Sequence, residues 1–126
     1  MGGDGRWIDE LFASIDRKDA VAFAGFLGIE ASFRFGNFPA VQGRDAIVAT
    51  VANFFAAVHG LQHRLEDRWQ VPDAAIVTGT VTYTRHDGST LSVPFANVMK
   101  LRQGGIQDYT IFVDNSALFP PQAPSA

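Results

Sequence analysis

Apolar residues recur with a helical period through the first half of this chain and with a strand period through the second. Trp7, Ile8, Leu11, Phe12 and Ile15 fall at i, i+1, i+4, i+5 and i+8, one stripe of a 3.6-residue repeat, and Asp4 stands before it as an N-cap. Asp19 is placed to cap a second, shorter helix carrying Val21, Phe23, Phe26 and Leu27, with Gly28 ending it. Ala31-Ser32-Phe33-Arg34-Phe35 then alternates like a strand, with Arg34 turned to the surface, and Gly36-Asn37-Phe38-Pro39 signals a turn. Ile47, Val48, Val51, Phe54, Phe55 and Val58 share one face of a third helix over residues 43–59, and Gly60 follows its end.

From there the period drops to two. Leu61, His63, Leu65, Asp67, Trp69 and Val71 alternate with Gln62, Arg64, Glu66, Arg68 and Gln70, which predicts a strand with one wet and one mostly dry face. Pro72-Asp73 turns the chain, and residues 75–86 set Val77, Val81 and Tyr83 opposite Thr78, Thr80, Thr82 and Thr84. Asp87-Gly88 marks a hairpin, after which Leu91, Val93, Phe95, Asn97, Met99 and Leu101 share a face. Gly104-Gly105 makes the next hairpin, and Ile106–Val113 is the last strand. Pro120, Pro121 and Pro124 cannot continue a sheet, so a single domain over residues 1–119 and a disordered tail over 120–126 are expected. Three helices followed by a strand meander give an α+β class. The helices should cover one face of a curved, mainly antiparallel sheet, whose inward residues line the space that the helices leave.

Composition narrows the chemistry. With 126 residues, 47% hydrophobic and 18% charged, the chain suits one globular domain with a sizeable core. The absence of cysteine removes disulfides, thiol nucleophiles and Cys-ligated metals. A net charge of −3 without any basic cluster argues against nucleic acid as a partner. No apolar run approaches the ~20 residues that span a bilayer, so no membrane is expected. The opening Met1-Gly2-Gly3-Asp4-Gly5 lacks signal-peptide order, and a soluble cytoplasmic protein is expected. Of the three histidines, only His59 and His63 are four apart, and Gly60 separates helix from strand between them. With no glycine-rich phosphate loop and no nucleophile elbow either, neither metal nor cofactor is expected.

Polar residues at apolar-face positions are the candidates for function. His63 and Asp67 share the dry face with Leu61, Leu65, Trp69 and Val71. Four strand residues span about 13 Å, so each needs its own partner. His63 is either a general base, imidazole being the side chain that exchanges protons near neutral pH, or a hydrogen-bonded histidine of the core. Asn97 lies between Phe95 and Met99, where an unpaired amide costs about 1–3 kcal/mol; it is either an oxyanion donor or bonded to neighbouring side chains. Asp114 follows Ile111, Phe112 and Val113. Desolvation there would raise its pKa and suit it to proton transfer, or its carboxylate caps the Asn115-Ser116 turn. Trp69 and Tyr83 offer flat apolar bodies with one polar handle each.

These features together resemble the nuclear transport factor 2-like superfamily, in the branch of SnoaL-like polyketide cyclases and ketosteroid isomerases. The resemblance is carried by Asp19, by Ala31–Phe35, by Val41-Gln42-Gly43-Arg44-Asp45-Ala46-Ile47 at the start of the third helix, by Met99–Ile106, and by Ile111–Leu118. It runs over roughly residues 5–119, and implies a cone-shaped fold of three N-terminal helices packed on the sheet. Ketosteroid isomerases use a strand carboxylate as base, with a tyrosine and a protonated aspartic acid as oxyanion donors. Phe35 stands at the base position here, Leu11 at the tyrosine and Asn97 at the aspartic acid. Limonene-epoxide hydrolases use an Arg-x-Asp pair, which falls near Gly79–Thr82 where this chain has no charge, and a last-strand Asp that Asp114 matches. In SnoaL-like cyclases a single Asp is the acid/base, and Asp114 is the corresponding candidate.

The expectation is therefore a cofactor-independent acid/base enzyme, an isomerase, cyclase or hydrolase, acting on a small hydrophobic cyclic metabolite. Asp114 and His63 would move protons and Asn97 would hold an oxyanion, while Trp69, Tyr83, Phe35, Asp67 and Phe95 would contact substrate. The other reading is a non-catalytic small-molecule-binding or assembly module. The threonine row Thr78, Thr80, Thr82 and Thr84 suits sheet-on-sheet packing, and a homodimer through it is expected, as the resemblance also implies.

Overall fold

In the computed structural model, residues 4–119 are described, so the predicted tail at 120–126 lies outside the described residues. The order is α1 (Arg6–Asp16), α2 (Ala20–Ala24), β1 (Leu27–Phe35), β2 (Val41–Gln42), α3 (Arg44–Ala57), β3 (Gly60–Val71), β4 (Ala74–Thr84), β5 (Thr90–Arg102) and β6 (Gly105–Val113).

The stripe of α1 is buried as its period requires, Trp7, Ile8, Leu11, Phe12 and Ile15 all facing the core. Gly5, with φ 77°, takes the cap position expected for Asp4, whose carboxylate instead accepts from the Arg6 amide at 3.0 Å. Asp19 does cap α2, accepting from the Ala22 amide at 3.0 Å. That helix stops at Gly25 rather than Gly28, because β6 captures the next backbone groups. The Ile106 amide donates to the Phe26 carbonyl at 2.8 Å, and Leu27 pairs with Ile106. Lys18 reaches across from the α1–α2 turn and donates to the Phe55 and Val58 carbonyls at 3.3 and 3.1 Å. Its ammonium thus meets open carbonyls at the negative end of α3.

The six strands form one open sheet in the order β2-β1-β6-β5-β4-β3. All pairs are antiparallel except β1 with β6, where Phe33 lies opposite Tyr109 and Phe35 opposite Ile111 in parallel register. The sheet is therefore mixed. After β1 the chain crosses through β2 and α3 to the far edge, and the four-strand meander brings β6 back alongside β1 in the same direction. The segment beyond β6 returns to the core through the fully buried Leu118, and Arg85 fastens it by donating to the Leu118 and Ala117 carbonyls at 2.7 and 2.9 Å.

β3 departs from the alternation expected of it. Leu65 pairs with Gly79, but Asp67 pairs with Thr78, so Glu66 is an extra residue in a β-bulge. Gly79 makes the bulge possible: a Cβ there would overlap the Arg64 carbonyl oxygen. One inserted residue reverses every following side chain. Arg68 and Gln70 now face α1, where Arg68 Nη2 donates to Asp9 Oδ1 at 2.7 Å and Trp7 Nε1 donates to Gln70 Oε1 at 3.2 Å. Asp67, Trp69 and Val71 turn to the outer face, and Trp69 is 56% exposed.

Candidate functional site

Between the helices and the inner face of the sheet lies a cavity of about 50 Å³. Its wall is mostly aromatic and aliphatic, with Phe33 and Phe35 from β1, Phe54 and Phe55 from α3, and Phe23 from α2. Four side chains bring polar atoms to it: His63 of β3, Tyr83 of β4, Asn97 of β5 and Tyr109 of β6. Four neighbouring strands each contribute one group because inward residues lie in register across them; His63 pairs with Val81, Val77 with Asn97, and Met99 with Tyr109.

His63 is held from two sides. Asp16, the last residue of α1, places Oδ1 2.6 Å from His63 Nδ1, while its Oδ2 accepts the His63 backbone amide at 3.0 Å. One carboxylate thus fixes both the ring and the strand that carries it. A carboxylate at Nδ1 draws the ring proton to that nitrogen, leaving the lone pair of the neutral imidazole on Nε2. The rings of Phe12 and Phe95 stand against the imidazole with centroids 4.9 and 5.2 Å away, which limits its rotation. A carboxylate-oriented imidazole on an apolar wall is the arrangement that general-base catalysis needs.

Asn97 is 2% exposed and donates through Nδ2 to the Tyr109 hydroxyl at 2.9 Å. Its Oδ1 is buried without a hydrogen-bond partner among the described residues. The amide expected to donate to an oxyanion thus spends an N–H on Tyr109 and leaves an acceptor unmet. Burial raises the pKa of the Tyr109 hydroxyl far above the usual phenol range, against the opposing bond from Asn97. Burial pushes Tyr83 up to about 12, with Asn115 acting in the other direction. Both tyrosines therefore stay protonated through the physiological range and keep a hydrogen to donate.

The cavity brings together His63, Asn97, Tyr83 and Phe35 of the residues singled out in the sequence. Asp67 and Trp69 lie on the outer face for the reason given by the bulge. Phe95 is buried behind His63 rather than on the wall, and supports the imidazole from there. Asp114 lies past the end of β6, on the side to which Phe112 points, and borders a surface groove with Asn37, Phe38 and Ser116. Its carboxylate accepts the Ser116 amide at 3.1 Å, the turn-capping alternative. The hydroxyl and amide of Ser116 hold its pKa below the ordinary carboxylate value, the opposite of the shift expected for proton transfer near neutrality.

Two residues of the site are absent from the candidates named in the sequence. Asp16 is one, yet it stands four residues after Phe12 and so extends the α1 stripe, a carboxylate at an apolar-face position. Tyr109 is the other; it alternates inward with Ile111, which is the signal that places it. Among the described residues no three His, Asp or Glu side chains gather as metal ligands. None of the described helices is long and apolar enough to cross a membrane.

The model of the SnoaL-like domain family matches residues 8–109. No curated protein matches the chain. Among solved structures, a nuclear transport factor 2-like protein of unknown function from Burkholderia pseudomallei K96243 superposes with a TM-score of 0.83 at 14% identity, over 94% of this chain and 95% of that one. A candidate SnoaL-like polyketide cyclase from Jannaschia sp. CCS1 gives 0.78 at 18% identity, over 93% and 94%. An epoxide hydrolase of M. tuberculosis, similar to limonene-epoxide hydrolases, gives 0.75 at 13% identity, over 88% and 82%. At such identities the likeness establishes the fold, and the chemistry rests on the residues of the site.

Proposed function

We propose that this chain, which belongs to the SnoaL-like domain family, is a cofactor-independent acid/base enzyme that moves a proton on a small hydrophobic cyclic substrate. The observation that carries the proposal is the Asp16–His63 pair, 2.6 Å apart, on the wall of an aromatic cavity. His63 Nε2 takes a proton from an acidic carbon of the substrate, and Asp16 stabilises the imidazolium that forms. Tyr83, a neutral phenol at physiological pH, donates to the oxygen on which negative charge develops. Returning the proton to a different atom makes the reaction an isomerisation. Attack of the carbanion on a carbonyl within the same molecule makes it a cyclisation. Activation of water by the same imidazole makes it a hydrolysis.

The space fits a molecule of two parts. The cavity volume of about 50 Å³ holds a few water-sized groups, enough for the reacting end. A neighbouring groove of about 410 Å³, lined by Phe38, Pro39, Ala40, Val41 and Thr50, shares Phe33, Phe35 and Phe54 with the cavity. Phe35 and Phe54 pack edge to face with centroids 4.8 Å apart and form the partition between them. In this reading the ring body of the substrate lies in the groove, and Phe35 and Phe54 move apart to admit its reacting end to the cavity.

Exchange of α-hydrogens for deuterium in 2-tetralone and 2-indanone, followed by proton NMR, tests the base without knowledge of the natural substrate. The wild-type protein should accelerate exchange over buffer, and H63A should lose about 100-fold of that acceleration. Exchange that persists undiminished in H63A would overturn the assignment. One observation favours a non-catalytic binding or assembly module: most of the cavity wall is apolar, Phe35 included. Binding of both ketones without any exchange would establish that reading instead.

The protein acts as a homodimer joined through the outer face of the sheet. Trp69 and Phe112 are 56% and 58% exposed there, and Ile76 lies between Trp69 and Val98 in the register. Exposed aromatic residues on a sheet face rimmed by threonines support an interface between copies.

A further inference from the structure

Among the described residues, Asn97 carries a buried side-chain polar atom that has no hydrogen-bond partner, and Tyr109 stands beside it. Asn97 Nδ2 donates to the Tyr109 oxygen at 2.9 Å, and Asn97 Oδ1 is buried without a partner among the described residues. Tyr109 accepts in that bond and so keeps its own hydrogen to give away. Both side chains line the cavity, and both are closed to solvent, Tyr109 fully and Asn97 to 2%. A buried carbonyl oxygen with no partner has lost the hydrogen bonds it made to water, so a ligand that donates to it recovers that loss on binding.

Only some functional groups can meet both atoms at once. A ketone or an ether oxygen accepts from Tyr109 but presents its lone pairs to Oδ1, which repels them. A carboxylate or enolate adds charge to the same repulsion. A hydroxyl group donates its hydrogen to Oδ1 and accepts the Tyr109 hydrogen on one oxygen atom. We propose that Asn97 and Tyr109 form a subsite for a hydroxyl group, so that the preferred ligand of this cavity carries a phenolic, enolic or alcoholic hydroxyl at this point, beside the oxygen that Tyr83 meets, rather than a ketone or ether oxygen here. The subsite deepens the functional reading above and rests on its claim that the cavity is where the ligand binds. It also assigns Asn97 a role opposite to oxyanion donation: the amide holds a protonated oxygen, while the developing charge belongs at Tyr83.

The discriminating pair is 2-naphthol and 2-methoxynaphthalene, equal in ring system and different in the one hydrogen. Affinities are measured by NMR titration or calorimetry on the wild type, N97L, N97D and H63A. In the wild type the naphthol should bind at least tenfold more tightly than its methyl ether. N97L, similar in size but without an acceptor, should abolish that preference, and N97D, which keeps a carboxyl oxygen in place, should retain it and show that the site still folds. H63A should also retain it. An ether that binds as tightly as the naphthol overturns the subsite, because it means the amide presents Nδ2 to the cavity. A preference that survives in N97L and vanishes in H63A also overturns it, because His63 is then the acceptor. Failure of both compounds to bind removes the subsite together with the claim that the cavity is a ligand site. Loss of ketone exchange in H63A with the hydroxyl preference intact separates the base from the subsite.

Discussion

The two halves of β3 read alike and do different work. Leu61, His63 and Leu65 face the core, and His63 reaches the cavity; Asp67, Trp69 and Val71 continue the same alternation on paper and face outward. The difference is Glu66, one residue with no opposite number on β4. Before the bulge the strand builds a site. After it, the inward positions are Arg68 and Gln70, which bind α1, and the outward positions supply an apolar face. A strand can thus serve a pocket and an exterior surface with one type of sequence pattern, provided that the phase is shifted between them.

The strongest way to break that division is at Gly79. An alanine methyl group there would overlap the Arg64 carbonyl oxygen, which is backbone and cannot rotate away. G79A should therefore cost about 3 kcal/mol in urea unfolding, near the upper end for overpacking. G60A is the matching control, since a Cβ at Gly60 meets nothing within 4 Å, and its midpoint should stay close to the wild type. Equal midpoints for the two variants would mean that the bulge is not locked by Gly79.

A second test compares the two sets of side chains by function. H63A should lose the exchange activity described above, while D67N and D114N should keep it within about twofold, because neither carboxylate reaches the cavity. W69S should do the reverse, leaving exchange per site unaltered and weakening the proposed dimer. A buried interface tryptophan contributes about 2 kcal/mol, or roughly a thirtyfold rise in Kd, which sedimentation equilibrium measures. A wild type that sediments only as monomer at micromolar concentration rules out the outer face as a dimer interface.

The same contrast explains what the sequence could disclose. Helix stripes and strand alternation are local, so α1, α3 and β4 to β6 follow from the period of their apolar residues, and His63, Asn97, Tyr83 and Phe35 were legible as inward-facing polar or aromatic positions. Glu66 carries no such signal. Its neighbours alternate without a break, and the compensating glycine lies thirteen residues on in another strand, at Gly79. The pairing of Asp16 with His63 is non-local as well, joining residues 47 apart in the chain. Asp114 shows the converse. Apolar neighbours in sequence suggested desolvation, but strand alternation directs Ile111 inward, and the carboxylate beyond the strand end meets Ser116.

The smallest expected effect lies where Arg68, inward after the bulge, meets α1. Its hydrogen bonds to Asp9, and secondarily its charge, hold the Asp9 pKa below the ordinary 3.8. A carboxylate whose pKa falls on folding stabilises the native state above its unfolded value, and that contribution disappears as pH drops through the lower folded value. D9N should therefore lower stability at neutral pH, and the gap from wild type should close on acidification below about pH 4, the ordinary carboxylate range. The Asp9 side chain is 61% exposed and that of Arg68 34%, so water and salt screen the pair and the neutral-pH cost should be below about 1 kcal/mol. Urea midpoints for wild type and D9N at pH 7 and pH 3 measure both size and sign. A gap that widens in acid would mean that Asp9 gains nothing from Arg68, and that the inward turn of β3 after Glu66 is held by the bond of Gln70 to Trp7 and that of Arg68 to the Gly5 carbonyl.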